Sequence, residues 1–254
     1  LTAPVPDGDD GKTMTIVEHL TELRRRIFIA LLAIVLGAIL GFIVTPEVIR
    51  ILKGPIAQPL YFTSPGGALF LQLKLALLIG LGIGAPVVLY ELWAFVSPGL
   101  TPRERRAIRP WIPLSLVFLA LGVGVAYAIL PFAAAFLLGF AIPGLIEPLI
   151  TADAYFGFVT TMFLAFGLVM QFPIVLVLLA KVGIITADQL RRRRRYVFIG
   201  IFVFAVVVTP GGDPFSPTIM ALVMYPLFEL TIRLMSRSER ERAAAAATVP
   251  EAEA

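Results

Sequence analysis

Six apolar stretches divide the chain, and their lengths predict helices that cross a bilayer. The first, Ile27–Val44, reaches about 27 Å as a helix, close to the minimum for a span. The second, 69–90, carries Lys74 near one end and Pro86 near the other. The third, 111–142, exceeds what a span needs and predicts tilt, protrusion or a kink at Pro131. The fourth, 154–180, holds Gln171 and Pro173 within it. The fifth, 196–209, and the sixth, 215–232, are short against a hydrocarbon core of about 30 Å, and the uninterrupted part of the sixth is only 218–228. Gly211-Gly212-Asp213-Pro214 forms a compact turn between them. This pair either spans a locally thinned membrane or forms a re-entrant hairpin; short spans are the favoured alternative. Pro46, Pro55, Pro59, Pro65 and Gly66-Gly67 break the pattern after the first run and predict a connecting loop.

Charge adds a direction. All of the 21 lysines and arginines except Arg50, Lys53 and Lys74 fall before the first span, between the second and third, between the fourth and fifth, or after the sixth. Short loops rich in Lys and Arg stay on the cytoplasmic side, so both termini are expected inside. The expected fold is an all-α polytopic membrane protein with six transmembrane helices, N-in and C-in. A single domain covers residues 1–242, followed by a disordered Ala/Glu tail at 243–254.

Composition agrees: 59% of residues are hydrophobic, against about 45–50% in soluble domains. The net charge of +4 is explained by the inside loops and by attraction to anionic lipid, not by nucleic-acid binding. With no cysteine there are no disulfides or thiolate metal sites. The polar start Leu1–Lys12 lacks the basic-then-apolar order of a cleavable leader.

Candidate chemistry is sparse. No phosphate-binding Gly-Lys loop, paired metal ligands or nucleophile elbow appears, so no cofactor, metal or catalytic residue is assigned. The single histidine, His19, sits at a membrane border as a helix-surface residue. Gly37/Gly41 and Gly80/Gly84 are small-residue pairs suited to close helix packing. Lys74 lies deepest and can snorkel outward; Glu91 and Glu229 lie at inner span ends, within reach of headgroups. Gln171, in mid-span, needs hydrogen-bond partners, either as packing glue or as a polar contact for a substrate. Glu22 and Glu104 sit among arginines before the first and third spans, and taken alone each reads as a weak surface pair.

Several segments, in order, resemble the TatC family, the core membrane component of the twin-arginine protein translocase. They are His19-Leu20-x-Glu22-Leu23-Arg24, Ala85-Pro86-Val87-Val88-Leu89-Tyr90, and Trp93-Ala94-Phe95-Val96-x-Pro98-x-Leu100 running into Glu104-Arg105-Arg106. Further along come Ala165-Phe166-Gly167, Phe172-Pro173, Gly183-Ile184, Leu190-Arg191, Arg195-Tyr196-Val197 and Thr209-Pro210. The resemblance covers residues 15–235. It implies a non-enzymatic receptor in the bacterial inner membrane that helps export folded proteins with the proton motive force. Glu22 and Glu104 would bind the two arginines of a signal peptide, with Phe95 and Arg105 in the same patch. Pro55, Gln171 and Asp213 would serve assembly or transport. TatA- and TatB-like single-span subunits, self-association in the receptor complex and a cupped bundle with short last helices are also implied. Where many relatives carry a mid-membrane glutamate, this chain has Gln171, which hydrogen-bonds but does not titrate. The alternative from another class is a small-molecule or ion transporter using Lys74, Gln171 and Glu229; an intramembrane hydrolase is more distant.

Overall fold

A computed structural model describes residues 16–99, 105–106, 109–142, 144–145, 147–181 and 184–247. Among them the chain is helical, with α1 Ile16–Lys53, α2 Gly67–Val96, α3 Trp111–Leu138, α4 Ala152–Val169, α5 Phe172–Lys181, α6 Ala187–Arg192, α7 Arg194–Val208 and α8 Phe215–Ala247. A 3-10 turn at Ser97–Gly99 follows α2. Among the described residues five stretches are long and apolar enough to cross a membrane: Val17–Lys53, Gly67–Gly99, Trp111–Leu138, Ala152–Ala180 and Phe215–Arg237. The fifth expected span is α7, whose 15 residues rise about 22 Å and fall short of a full hydrocarbon core.

Helix α1 runs well past both ends of its apolar run and continues through Pro46. A proline there forfeits one backbone N–H, yet the neighbouring turn stays anchored. Thr45 is fully buried and donates its hydroxyl to the Gly41 carbonyl at 2.8 Å. Only 11% of the apolar window of α1 is buried, against 50% for 152–180. Helix α1 therefore leaves most of its surface uncovered by the other described residues, while α4 and α5 form the centre of the bundle.

The α1–α2 contact is made by small residues. A Cβ at Gly37 would lie 2.6 Å from the Gly80 carbonyl oxygen, one at Gly41 2.7 Å from that of Ala76, and one at Gly84 3.2 Å from Ala33. The paired numbers run in opposite directions, so the helices are antiparallel and the two glycine pairs face each other within one chain. Around α4, the fully buried Phe156, Met162 and Phe166 join Met220 and Phe228 of α8 in the core.

The 152–180 stretch breaks at Met170–Gln171, because Pro173 lacks the N–H that would bond back to residue 169. Gln171 bridges the break with its own backbone: its N–H donates to Leu168 at 3.0 Å and its carbonyl accepts from Ile174 at 3.0 Å. The loops after α1 and α3 tie together where Tyr61 N–H donates to Ile150 (3.1 Å) and Ala152 N–H donates to Tyr61 (2.8 Å). Helix α8 continues to Ala247, past residue 243 where a disordered tail was expected to begin. The tail segment 248–254 lies outside the described residues.

Candidate functional site

At the start of α1, residues 22 and 26 are four apart and share a helix face. Arg26 Nε donates to Glu22 Oε1 at 2.9 Å, and Nη2 bonds the same oxygen. The other arm of the fork crosses to α2, where Arg26 Nη1 donates to Glu91 Oε2 at 2.9 Å. One guanidinium thus joins two half-shielded carboxylates, with side chains 18% exposed at Glu22 and 11% at Glu91. The remaining oxygen of Glu22, Oε2, is buried and has no hydrogen-bond partner among the described residues. A buried acceptor left unmatched costs about 1–3 kcal/mol, and more when charged, so this atom is poised for a donor.

Aromatic contacts frame the same end of the helix pair. His19, one turn before Glu22, stacks on Phe95 with ring centroids 4.4 Å apart and planes 17° apart. The Arg105 guanidinium lies 5.7 Å from the centre of the Trp93 ring. Trp93 Nε1 and Ser97 Oγ are likewise buried without partners. Of the residues expected in one patch, Glu22, Phe95 and Arg105 lie at this end of α1 and α2. Glu104 lies outside the described residues.

The other candidates are dispersed. Pro55 lies just beyond the far end of α1, between buried Leu52 and Ile56, where the Tyr155 hydroxyl donates to the Leu52 carbonyl at 2.6 Å. Gln171 donates its side-chain amide to the Ser115 carbonyl of α3 at 3.1 Å, so it glues two helices. Asp213 is 3% exposed and accepts from Ser216 N–H at 2.7 Å, satisfying a first-turn donor of α8. Its Oδ2 and the Ser216 hydroxyl are buried without partners among the described residues. The positive φ of Gly211 (93°) and Gly212 (70°) makes the preceding turn.

The three residues of the transporter alternative do not converge. Lys74 faces Asp153 at 3.6 Å, Glu229 pairs with Arg194 at 3.1 Å, and Gln171 is held by Ser115. Among the described residues no group of three or more His, Asp or Glu side chains is arranged to hold a metal. Sequence reasoning placed Glu91 at an inner span end but missed its pairing with Arg26, 65 positions away. No periodicity reveals such a pairing; the only hint is an acidic residue at the basic end of a span.

The fold and this patch define a multi-pass helical membrane protein with shielded carboxylates at one end of its first helix pair. The family model for "Sec-independent protein translocase protein (TatC)" matches residues 18–222. A TatC of Aquifex aeolicus is 36% identical over 238 residues, covering 90% of this chain and 98% of the relative. A TatC of Carboxydothermus hydrogenoformans is 34% identical over 227 residues, covering 88% and 93%. The solved structure of a twin arginine translocase receptor, TatC, in the detergent DDM superposes with a TM-score of 0.72 at 36% identity, covering 86% of this chain and 99% of that one. The chain belongs to the TatC family and is a membrane subunit of the protein translocase that family names.

Proposed function

We propose that this chain is the signal-peptide receptor of a twin-arginine translocase, with Glu22 and Glu104 accepting the two arginines and with Phe95 and Arg105 completing the patch. The observation that carries this is the buried, unpartnered Oε2 of Glu22 at the mouth of the α1–α2 pair. A guanidinium offers a planar fork that fits a carboxylate, whereas lysine is a point charge, so such a site prefers Arg-Arg over Lys-Lys. The positive-inside pattern supports a cytoplasmic location for this end and for both termini, and the proposed site of the multi-pass domain is a bacterial inner membrane. The role is non-enzymatic. TatA- and TatB-like single-span subunits pack around the bundle, further copies of this chain join the receptor complex, and the proton motive force drives export. Pro55, Gln171 and Asp213 shape the loop, the kink and the final turn on which that assembly depends.

The test is binding of a labelled Arg-Arg signal peptide and its Lys-Lys counterpart to the detergent-solubilised full chain. Arg-Arg should bind more tightly, and both Glu22→Ala and Glu104→Ala should lose the preference while remaining folded. Retained preference in both variants would remove these carboxylates from the site.

A further inference from the structure

Glu91 sits outside every motif that assigned the patch, yet it shares Arg26 with Glu22. If Arg26 faced Glu22 alone, one positive charge would neutralise one negative charge, and the site would offer an incoming cation little attraction. With Glu91 on the other arm, the three side chains carry a net charge of −1. The fork is also held so that both of its bonds to Glu22 fall on Oε1, leaving Oε2 unmatched. We propose that Glu91 is a positioning residue for guanidinium binding: it holds Arg26 across the α1–α2 gap and keeps Oε2 of Glu22 open towards an incoming guanidinium. This rests on the receptor role of Glu22 proposed above. The bland alternative is a helix-to-helix staple that only holds α1 against α2.

Charge and staple predict opposite results when Arg26 is also removed. Peptide affinity would be measured for the full chain in detergent, using an Arg-Arg signal peptide at low and high salt. Glu91→Gln should bind roughly tenfold more weakly, the scale of one unit charge acting from about 10–12 Å, across Arg26, at the effective dielectric near a protein surface. Its affinity should also fall less with added salt than that of the unaltered chain. Glu91→Gln combined with Arg26→Gln restores a net charge of −1 and should recover most of the loss. Arg26→Gln alone should bind at least as tightly as the unaltered chain. Elution profile and melting temperature would show that each variant is folded. Unchanged affinity in Glu91→Gln, or a double variant no better than the single, overturns the role of Glu91 while leaving the receptor assignment standing. Absence of Arg-Arg preference in the unaltered chain overturns both.

Discussion

Gly80→Ala should loosen the first helix pair, and the structure sets the scale. A Cβ at residue 80 would lie 2.5 Å from Ala38 N, 2.7 Å from Ala38 Cα and 2.7 Å from the Ile34 carbonyl oxygen. All three are backbone atoms of α1, so no side chain can swing away. Ordinary contact begins at 3.4 Å, so the helices must part by about 0.9 Å along that line. Separating a packed interface in this way costs about 1–3 kcal/mol. The substitution also gains helix propensity, about 0.8–1.0 kcal/mol, which would obscure the clash in a single measurement. Gly82→Ala provides the reference: it lies in the same helix, and its Cβ would meet nothing within 4 Å. Both variants gain the same propensity, so their difference isolates the clash. At about 2–4 °C per kcal/mol for a chain of this size, Gly80→Ala should melt about 2–12 °C below Gly82→Ala in detergent. Equal melting temperatures would refute the close approach of α1 and α2 through their glycines.

Two further substitutions probe the ends of the bundle. Tyr155→Phe removes the donor that satisfies the Leu52 carbonyl in the last turn of α1, so it should destabilise by about 1–3 kcal/mol, read as a lower melting temperature. An unshifted melt would mean that this carbonyl finds another donor. Asp213→Ala strips the acceptor from Ser216 N–H and should cost about 0.5–2 kcal/mol, whereas Asp213→Asn keeps an acceptor and should recover most of it. If Asn is as damaging as Ala, the charge rather than the cap is what matters there.

What was legible in the sequence was local. Each expected span is helical over most of its length, because a run of apolar residues long enough to cross lipid has few other stable forms. The third expected span, however, extends four residues past the end of α3, and the sixth, expected to be short, lies in the 23-residue apolar stretch Phe215–Arg237. The boundaries were less legible. The apolar run stops at Val44 and Pro46 follows, yet α1 continues to Lys53, because one missing backbone bond is tolerated when Thr45 and Leu52 are buried. The break at Gln171 came with a visible Pro173, but not its consequence, since a proline within a helix can be carried through, as at Pro86 and Pro131. The two glycine pairs were visible as packing surfaces; that they face each other follows only from the antiparallel register of α1 and α2. Glu91 was illegible as a partner of Arg26 for the same reason.

Away from bulk water, a polar side chain that finds no partner is costly, and that cost sorts the polar residues of this chain. Lys74, Glu229 and Gln171 drew attention because they lie in or near apolar runs, and each is answered by a neighbour: Asp153, Arg194 and the Ser115 carbonyl. A residue whose partner is built into the fold has part of its bonding capacity already used. The unmatched atoms mark different places. Among the described residues, Glu22 Oε2, Trp93 Nε1 and Ser97 Oγ gather at the proposed receptor end, Asp213 Oδ2 and Ser216 Oγ gather at the start of α8, and Thr160 Oγ1 and Arg194 Nε stand apart from both. Only the first group includes a carboxylate whose arginine neighbour is already shared with a second acid. Depth in the membrane therefore pointed to residues that hold the bundle together. Unmet hydrogen-bonding capacity on one of two carboxylates that share a single arginine points to the place where an external guanidinium has something to gain.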